Sequence, residues 1–185
     1  MLDKILKNSS GFFTQQIFLV GTTGEDGKEN FAPVSWVSHT LGPPACLILT
    51  LAGEKHTGRN FERTGQLSAT VVTRDLMRFM ETCGSPMHKE RFFESEKVPF
   101  ARGKVLDVPL IADGSWSFEC TLFKAVKVGN AVTYFAEIKN VNVAEDIMAL
   151  DFIDLRAIDP VLYSPGNYFA IGEHLGKIGD FSEKI

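Results

Sequence analysis

Two stretches of this chain carry side chains whose type and spacing suit ligand chemistry as well as packing. The first is Asn30-Phe31-Ala32-Pro33-Val34-Ser35-Trp36-Val37-Ser38-His39. Read as one extended strand, it places Pro33, Ser35, Val37 and His39 on one side and Val34, Trp36 and Ser38 on the other. Serines between apolar flanks leave the backbone approachable and offer hydrogen bonds, which is what a flat ligand needs. The same residues also describe an edge strand whose serines face water. The second stretch is Glu54-Lys55-His56-Thr57-Gly58-Arg59-Asn60. It follows an apolar run and opens a helix, so unpaired amide N–H groups and the positive dipole end meet whatever lies before it. Thr57 supplies a hydroxyl, and Lys55 and Arg59 supply charge. A phosphate monoester fits this set, and so does an ordinary N-cap at Thr57 with solvated basic neighbours.

Other combinations carry less. The loop Cys83-Gly84-Ser85-Pro86-Met87-His88-Lys89 has a thiol near an imidazole but nothing to orient the base. His39, His56, His88 and His174 include no pair at the i, i+4 spacing of helical metal ligands. Asp113 and Glu119 read as surface carboxylates, so glycoside hydrolysis has no support. Cys46, Cys83 and Cys120 are scattered, form no C-x-x-C pair and read as reduced thiols of a cytoplasmic protein.

The elements that must position these residues are mostly strands. Residues 16–22 are β-branched and aromatic. Residues 24–30 form a Gly- and Asp-rich turn, and 31–39 return as a second strand. Gly42-Pro43-Pro44 breaks it, and the apolar run 45–51 predicts a strand buried on both faces. Thr57 predicts the N-cap of a short helix closed by Gly65. A strand over 66–73 follows, then helical spacing over 76–83. Residues 1–8 and 89–95 predict further short helical pieces. Residues 115–128 and 131–143 are long alternating segments joined by the turn pair Gly129-Asn130. A last strand is expected within 158–163, followed by an irregular Gly-rich tail. Six or seven hairpin-linked strands with inserted short helices favour a barrel or sandwich over a doubly wound sheet. No G-x-G-x-x-G follows the first strand and no G-x-x-x-x-G-K-[ST] occurs, which argues against Rossmann and P-loop nucleotide sites.

The chain has 185 residues, 44% of them hydrophobic, and a formal net charge of −4. That size predicts one domain over residues 1–185 with a self-sufficient core. The mild acidity argues against nucleic acid or an anionic membrane surface as partner. No segment predicts a signal peptide or a membrane span.

Taken in order, Asn30…Pro33-Val34-Ser35-Trp36-Val37-Ser38, Gly42-Pro43-Pro44, Lys55-His56-Thr57-Gly58-Arg59-Asn60 and Thr64-Gly65 resemble the flavin-reductase-like family of FMN-binding split β-barrels. Lys89-Glu90-Arg91-Phe92, Val108-Pro109-Leu110-Ile111 and Phe118-Glu119-Cys120 extend the resemblance over about residues 10–175. It implies a mainly β, Greek-key-like split barrel with short helices, homodimeric, that binds FMN (or FAD). By position, Ser35, Trp36, Val37 and Ser38 would line the three-ring system. Lys55, His56, Thr57 and Asn60 would hold the phosphate, and Ser85 and Lys89 would lie in a loop closing over the flavin. The expected activity is NAD(P)H-dependent flavin reduction, with electrons passed to an oxygenase or a redox protein. Two alternatives are a flavoredoxin-type electron carrier and a non-redox ligand-binding barrel. The sequence departs from the family at Thr70, where an Asn is common, which leaves that hydrogen bond open. It also departs at Asp113-Gly114-Ser115-Trp116, where Trp116 reads as a core or interface residue.

Overall fold

The computed structural model describes residues 11–85, 100–149, 152–178 and 180–181. The expected helical pieces over 1–8 and 89–95 lie outside the described residues.

Seven antiparallel strands form the main sheet in the order β3-β2-β6-β9-β10-β5-β4. They are β2 (Phe18–Thr23), β3 (Glu29–Val34), β4 (Val37–His39), β5 (Cys46–Ala52), β6 (Gln66–Val71), β9 (Trp116–Val128) and β10 (Ala131–Val143). The two edge strands, β3 and β4, are consecutive in the chain and only Ser35 and Trp36 separate them. Two residues cannot cross the width of a seven-stranded sheet, since neighbouring strands lie about 4.8 Å apart. The sheet must therefore curl until its edges meet at that join. The result is the expected barrel, split along β3 and β5, with Thr50 N donating to Trp36 O at 2.9 Å where they approach.

The join corrects one expectation. Residues 31–39 are not a single alternating strand but two strands on opposite edges, so the predicted facing of Ser35 and Val37 as one row does not hold.

Helix α1 (His56–Thr64) links β5 to β6 across the split. Gly65 ends it in the left-handed region at φ 68°, its N–H donating to Phe61 O at 2.8 Å, as the sequence predicts. Phe61 packs into the core inside the curl with Val20, Val34, Leu49, Phe118 and Tyr134. Gly58 allows α1 to lie close on the sheet, since a Cβ there would stand 3.0 Å from Tyr134 Oη.

The outer face of β2 and β3 is covered too. Leu19, Phe31 and Val72 pack against Phe79, Met80 and Cys83 of α2 (Met77–Gly84). That helix follows the predicted spacing, entered through a 3-10 turn at Arg74–Leu76. The Gly129-Asn130 hairpin forms as read, with Ala131 opposite Val128. The tail is more ordered than expected. β13 (Val161–Ser164) pairs with β14 (Asn167–Ala170), and β1 (Gln15–Gln16) pairs with β13. β13 is the last strand expected within 158–163, whereas β14 lies in the stretch read as an irregular tail. β7 (Phe100–Arg102) with β8 (Pro109–Ile111), and β11 (Met148–Ala149) with β12 (Phe152–Ile153), complete the described strands. No described helix is long and apolar enough to cross a membrane.

Candidate functional site

The start of α1 differs from the predicted cap. Lys55, in extended conformation at φ −90° and ψ 145°, holds the N-cap position, and no side chain caps the helix. Thr57 is already helical and buried. Its Oγ1 accepts from Asn30 Nδ2 at 3.1 Å, a bond from the β3 edge across the split. The same amide nitrogen lies 3.1 Å from Thr22 Oγ1, to which buried Asn60 Nδ2 donates at 3.2 Å. Thr22, Asn30, Thr57 and Asn60 thus form one network fixing α1 to the β2–β3 hairpin. Thr22 escaped the sequence reading, and Asn30 was read only as part of the serine-bearing stretch. Polar side chains that line up only when two strands and a helix meet give no local signal.

The first turn of α1 contains no acidic residue. Lys55, His56 and Arg59 are exposed, and Arg59 Nη2 lies 3.2 Å from His56 Nδ1. An uncapped helix start with basic side chains and no carboxylate in its first turn is chemically matched to a phosphate group. Thr57, as acceptor from Asn30, keeps its own proton for such an oxygen. The donor set therefore fits the anionic tail of a mononucleotide.

Ser35 and Ser85 meet elsewhere. Both line an open cavity of about 280 Å³ with Ile17, Pro33, Met80, Glu81, Tyr163 and Tyr168. Pro33 and Phe31 face α2, while Asn30 and Val34 face α1 and the inner core. The helix start and the cavity thus lie on the two sides of β3, near its opposite ends. Ser35 lies five positions beyond Asn30, about 17 Å along an extended strand. The Ser35–Trp36 join stands between them, where the chain passes from one sheet edge to the other.

At the join, most backbone groups already serve the fold. Val37 and Ser38 pair with Leu49 and Ile48. With its carboxamide turned to satisfy both carbonyls, Gln15 donates to Ser35 O at 2.5 Å and Val37 O at 3.3 Å. The Ser35 hydroxyl, the exposed Ser38 and the half-exposed Trp36 ring are what remains for a ligand. Trp36 stands edge-on to Phe12 at 4.4 Å, and Phe12 meets Tyr163 at 5.9 Å. Lys89 lies outside the described residues.

One sequence reading changes. Glu119 is not a surface carboxylate but is fully buried. It accepts from the backbone N–H groups of Lys104, Val105 and Leu106 and from the amides of Asn140 and Asn142, all at 2.7–2.9 Å. Burial alone would raise its pKa. The bonds from Asn142 and Asn140, then Leu106 and Val105, outweigh that and hold it at about 2. The hydroxyl of Thr70, at the position where the family commonly has Asn, pairs with Ser117 Oγ at 2.9 Å. Trp116 packs against the core, as read, tilted on Phe118 at 5.6 Å, and its indole N–H is buried with no hydrogen-bond partner among the described residues. The three thiols are buried and form no disulfide. Desolvation pushes the Cys120 pKa far up, with Cys46 and Glu119 adding to it, so this thiol is a poor nucleophile. Among the described residues, no group of three His, Cys, Asp or Glu side chains is placed to hold a metal ion.

Comparison with known proteins places this geometry. A curated protein of Aquifex aeolicus (strain VF5), itself uncharacterized, is 25% identical and aligns over 83% of each chain. Flavoredoxin from Methanosarcina acetivorans superposes with a TM-score of 0.85 at 18% identity, over 98% of both chains. Nitrilotriacetate monooxygenase component B from Bacillus cereus gives 0.82 at 16% identity, over 90% of this chain and 89% of that one. At such identities the structures establish the split-barrel fold. The family is settled by the model of the flavin reductase like domain, which matches residues 10–172. On that match over nearly the whole chain, the protein belongs to the flavin reductase like family, and its role is flavin-related redox chemistry.

Proposed function

We propose that this protein binds FMN along the split of the barrel and uses it to move electrons from NADH or NADPH to a partner. The observation that carries the reading is the uncapped, cationic start of α1, tied across the split by the Asn30–Thr57 bond. Lys55, His56, Thr57 and Asn60 would hold the phosphate. Ser35, Trp36, Val37 and Ser38 would lie against the three-ring system, with Ser85 and Lys89 from the loop beyond α2. The terminal phosphate of FMN concentrates its charge on one group, which suits the cationic start of α1, so FMN is the flavin proposed.

When bound, the flavin supplies hydride acceptance and onward electron transfer. The chain's residues neutralise the phosphate, fix the ring plane and limit solvent access. No general acid or base is assigned, because the proton that balances hydride uptake can come from water. The partner is an oxygenase or a redox protein. The likeness to a monooxygenase component supports the first and the likeness to a flavoredoxin the second. We further propose a homodimer, because Trp36, Phe13 and the segment bearing Leu175, Ile178 and Phe181 expose large apolar side chains. A cytoplasmic setting suits the three buried, unbridged cysteines.

The first test is titration with FMN followed by quenching of flavin fluorescence. Full-strength emission at protein excess would overturn the flavin reading and leave a non-redox barrel. Anaerobic mixing of the loaded protein with NADH and with NADPH then separates the two redox roles. Fast bleaching of the flavin band supports direct nicotinamide use, and no bleaching supports a flavoredoxin-type carrier.

A further inference from the structure

Four rings form a row that leaves the join between β3 and β4 and ends at the surface. Trp36 stands edge-on to Phe12 with centroids 4.4 Å apart, and Phe12 meets Tyr163 at 5.9 Å. Tyr163 lies 6.0 Å from Tyr168, the planes inclined by 49°. Such spacings are those of packed ring pairs. The row exists only because three distant parts of the chain meet: the segment before β1, the join, and the β13–β14 hairpin. Its two ends differ in chemistry. Trp36 presents a half-exposed indole, whereas the exposed Tyr168 donates its phenol proton to Glu81 Oε1. Burial, then this bond and the carboxylate's charge, push the Tyr168 pKa up to about 12, so the phenol keeps its proton at neutral pH.

Losing one electron turns a phenol into a very strong acid, so tyrosine gives up an electron readily only where a base takes its proton. At Tyr168 that base is Glu81. An indolyl radical draws an electron from such a tyrosine at neutral pH, which sets the direction of transfer outward from Trp36. Phe12 is too hard to oxidise to hold the charge, and serves as the packed bridge. We propose that Trp36, Tyr163 and Tyr168 form a relay that carries a one-electron oxidising equivalent from the join to the β14 surface, with Glu81 as proton acceptor. Only the source of the oxidant rests on the redox reading above: electron transfer in air releases peroxide, and one-electron reduction of peroxide gives an oxygen-centred radical at the join. That radical takes an electron and the indole proton from Trp36 and leaves as water. Trp36 regains an electron through Tyr163 and a proton from water. The electron comes from Tyr168, whose O–H bond breaks, the proton passing to Glu81 and a neutral phenoxyl radical remaining. A thiol in solution returns a hydrogen atom to the phenoxyl, and Glu81 releases its proton to water. Damage is thereby moved from the ligand seam to a place where it is repaired.

The test uses the full chain without flavin. Pulse radiolysis in azide solution makes azide radicals, which oxidise tryptophan much faster than tyrosine at neutral pH. The indolyl band is expected to decay as a phenoxyl band grows, at a rate independent of protein concentration. Trp36→Phe should remove most of that growth, since the second tryptophan, Trp116, stands outside the row against Phe118. Tyr168→Phe should slow it by about tenfold, and so should Glu81→Gln, which keeps an acceptor oxygen but is no base. Tyr134→Phe should leave it unchanged, because Tyr134, although bonded to Glu62, packs on Phe61 in the core. Indolyl decay without phenoxyl growth, growth that scales with protein concentration, or growth unaltered by Trp36→Phe, Tyr168→Phe or Glu81→Gln would overturn the relay. In the FMN-loaded chain, repeated reduction and reoxidation in air should leave oxidised Tyr168 in the wild type and oxidised Trp36 in Tyr168→Phe, read by peptide mass spectrometry. The same damage in both would overturn the protective role. FMN quenching on the same sample keeps the readings apart: quenching without radical transfer overturns the relay alone, and transfer without quenching overturns the flavin reading alone.

Discussion

Glu119 accepts five hydrogen bonds with no exposure to water, and all of them favour its ionised form. Glu119→Gln replaces one accepting oxygen with a nitrogen that faces donors, which costs about 2–5 kcal/mol. Urea unfolding at pH 7 should show that loss. The sign of the pH effect follows from the depressed pKa. The wild-type contribution is complete above the unfolded value near 4.5 and is lost as pH falls toward about 2. Wild type and Glu119→Gln should therefore converge in stability as urea melts are taken from pH 6 to pH 3. At Thr57, replacement by Val removes the acceptor for Asn30 and the hydroxyl proposed for the phosphate. Thr57→Val should weaken FMN binding by about tenfold, read by fluorescence, while lowering stability by only about 1 kcal/mol. The phosphate candidates were visible because helix starts advertise themselves in sequence through Thr, Lys and Gly. Glu119 was not, because nothing local distinguishes a carboxylate bound by a distant loop from one in water.

Among the elements, α1 matters most, since it closes the split and carries the phosphate candidates. Its two ends are fixed differently, by the side-chain network at Thr57 and by the left-handed Gly65. Gly65→Ala forces a Cβ into φ 68°, although no heavy atom crowds the position. The cost should be backbone strain alone, about 1 kcal/mol, measured as a drop in melting temperature without loss of FMN binding. The C-terminal end of the helix and the long β9–β10 hairpin were legible, because glycine, the Gly-Asn pair and alternation act over a few residues; the helix start was read two residues late, at Thr57 instead of Lys55. The break at Ser35–Trp36 was not. Locally both residues suit a strand, and only the curl of the whole sheet sends the chain from one edge to the other.

At the scale of the whole molecule, the barrel class followed from counting hairpin-linked strands, whereas assembly depends on surfaces that no periodicity marks. Phe13, Trp36, Leu175, Ile178 and Phe181 are exposed on the single chain, and the proposed homodimer would cover some of them. Light scattering coupled to size exclusion should give twice the 20.5 kDa chain mass. A single-chain mass would remove the homodimer.

The two-residue join between β3 and β4 also acts as a ruler for the barrel's girth. Other connections, such as the turn after β2 or the hairpin tip at Gly129, lie at free ends and can lengthen at the modest entropic cost of a longer loop. At Ser35–Trp36 each added residue would let the seam gape by a few ångströms, loosening the grip of α1 while leaving the packed interior intact. Length at that one point, more than the identity of either residue, therefore sets how wide a guest the seam can admit.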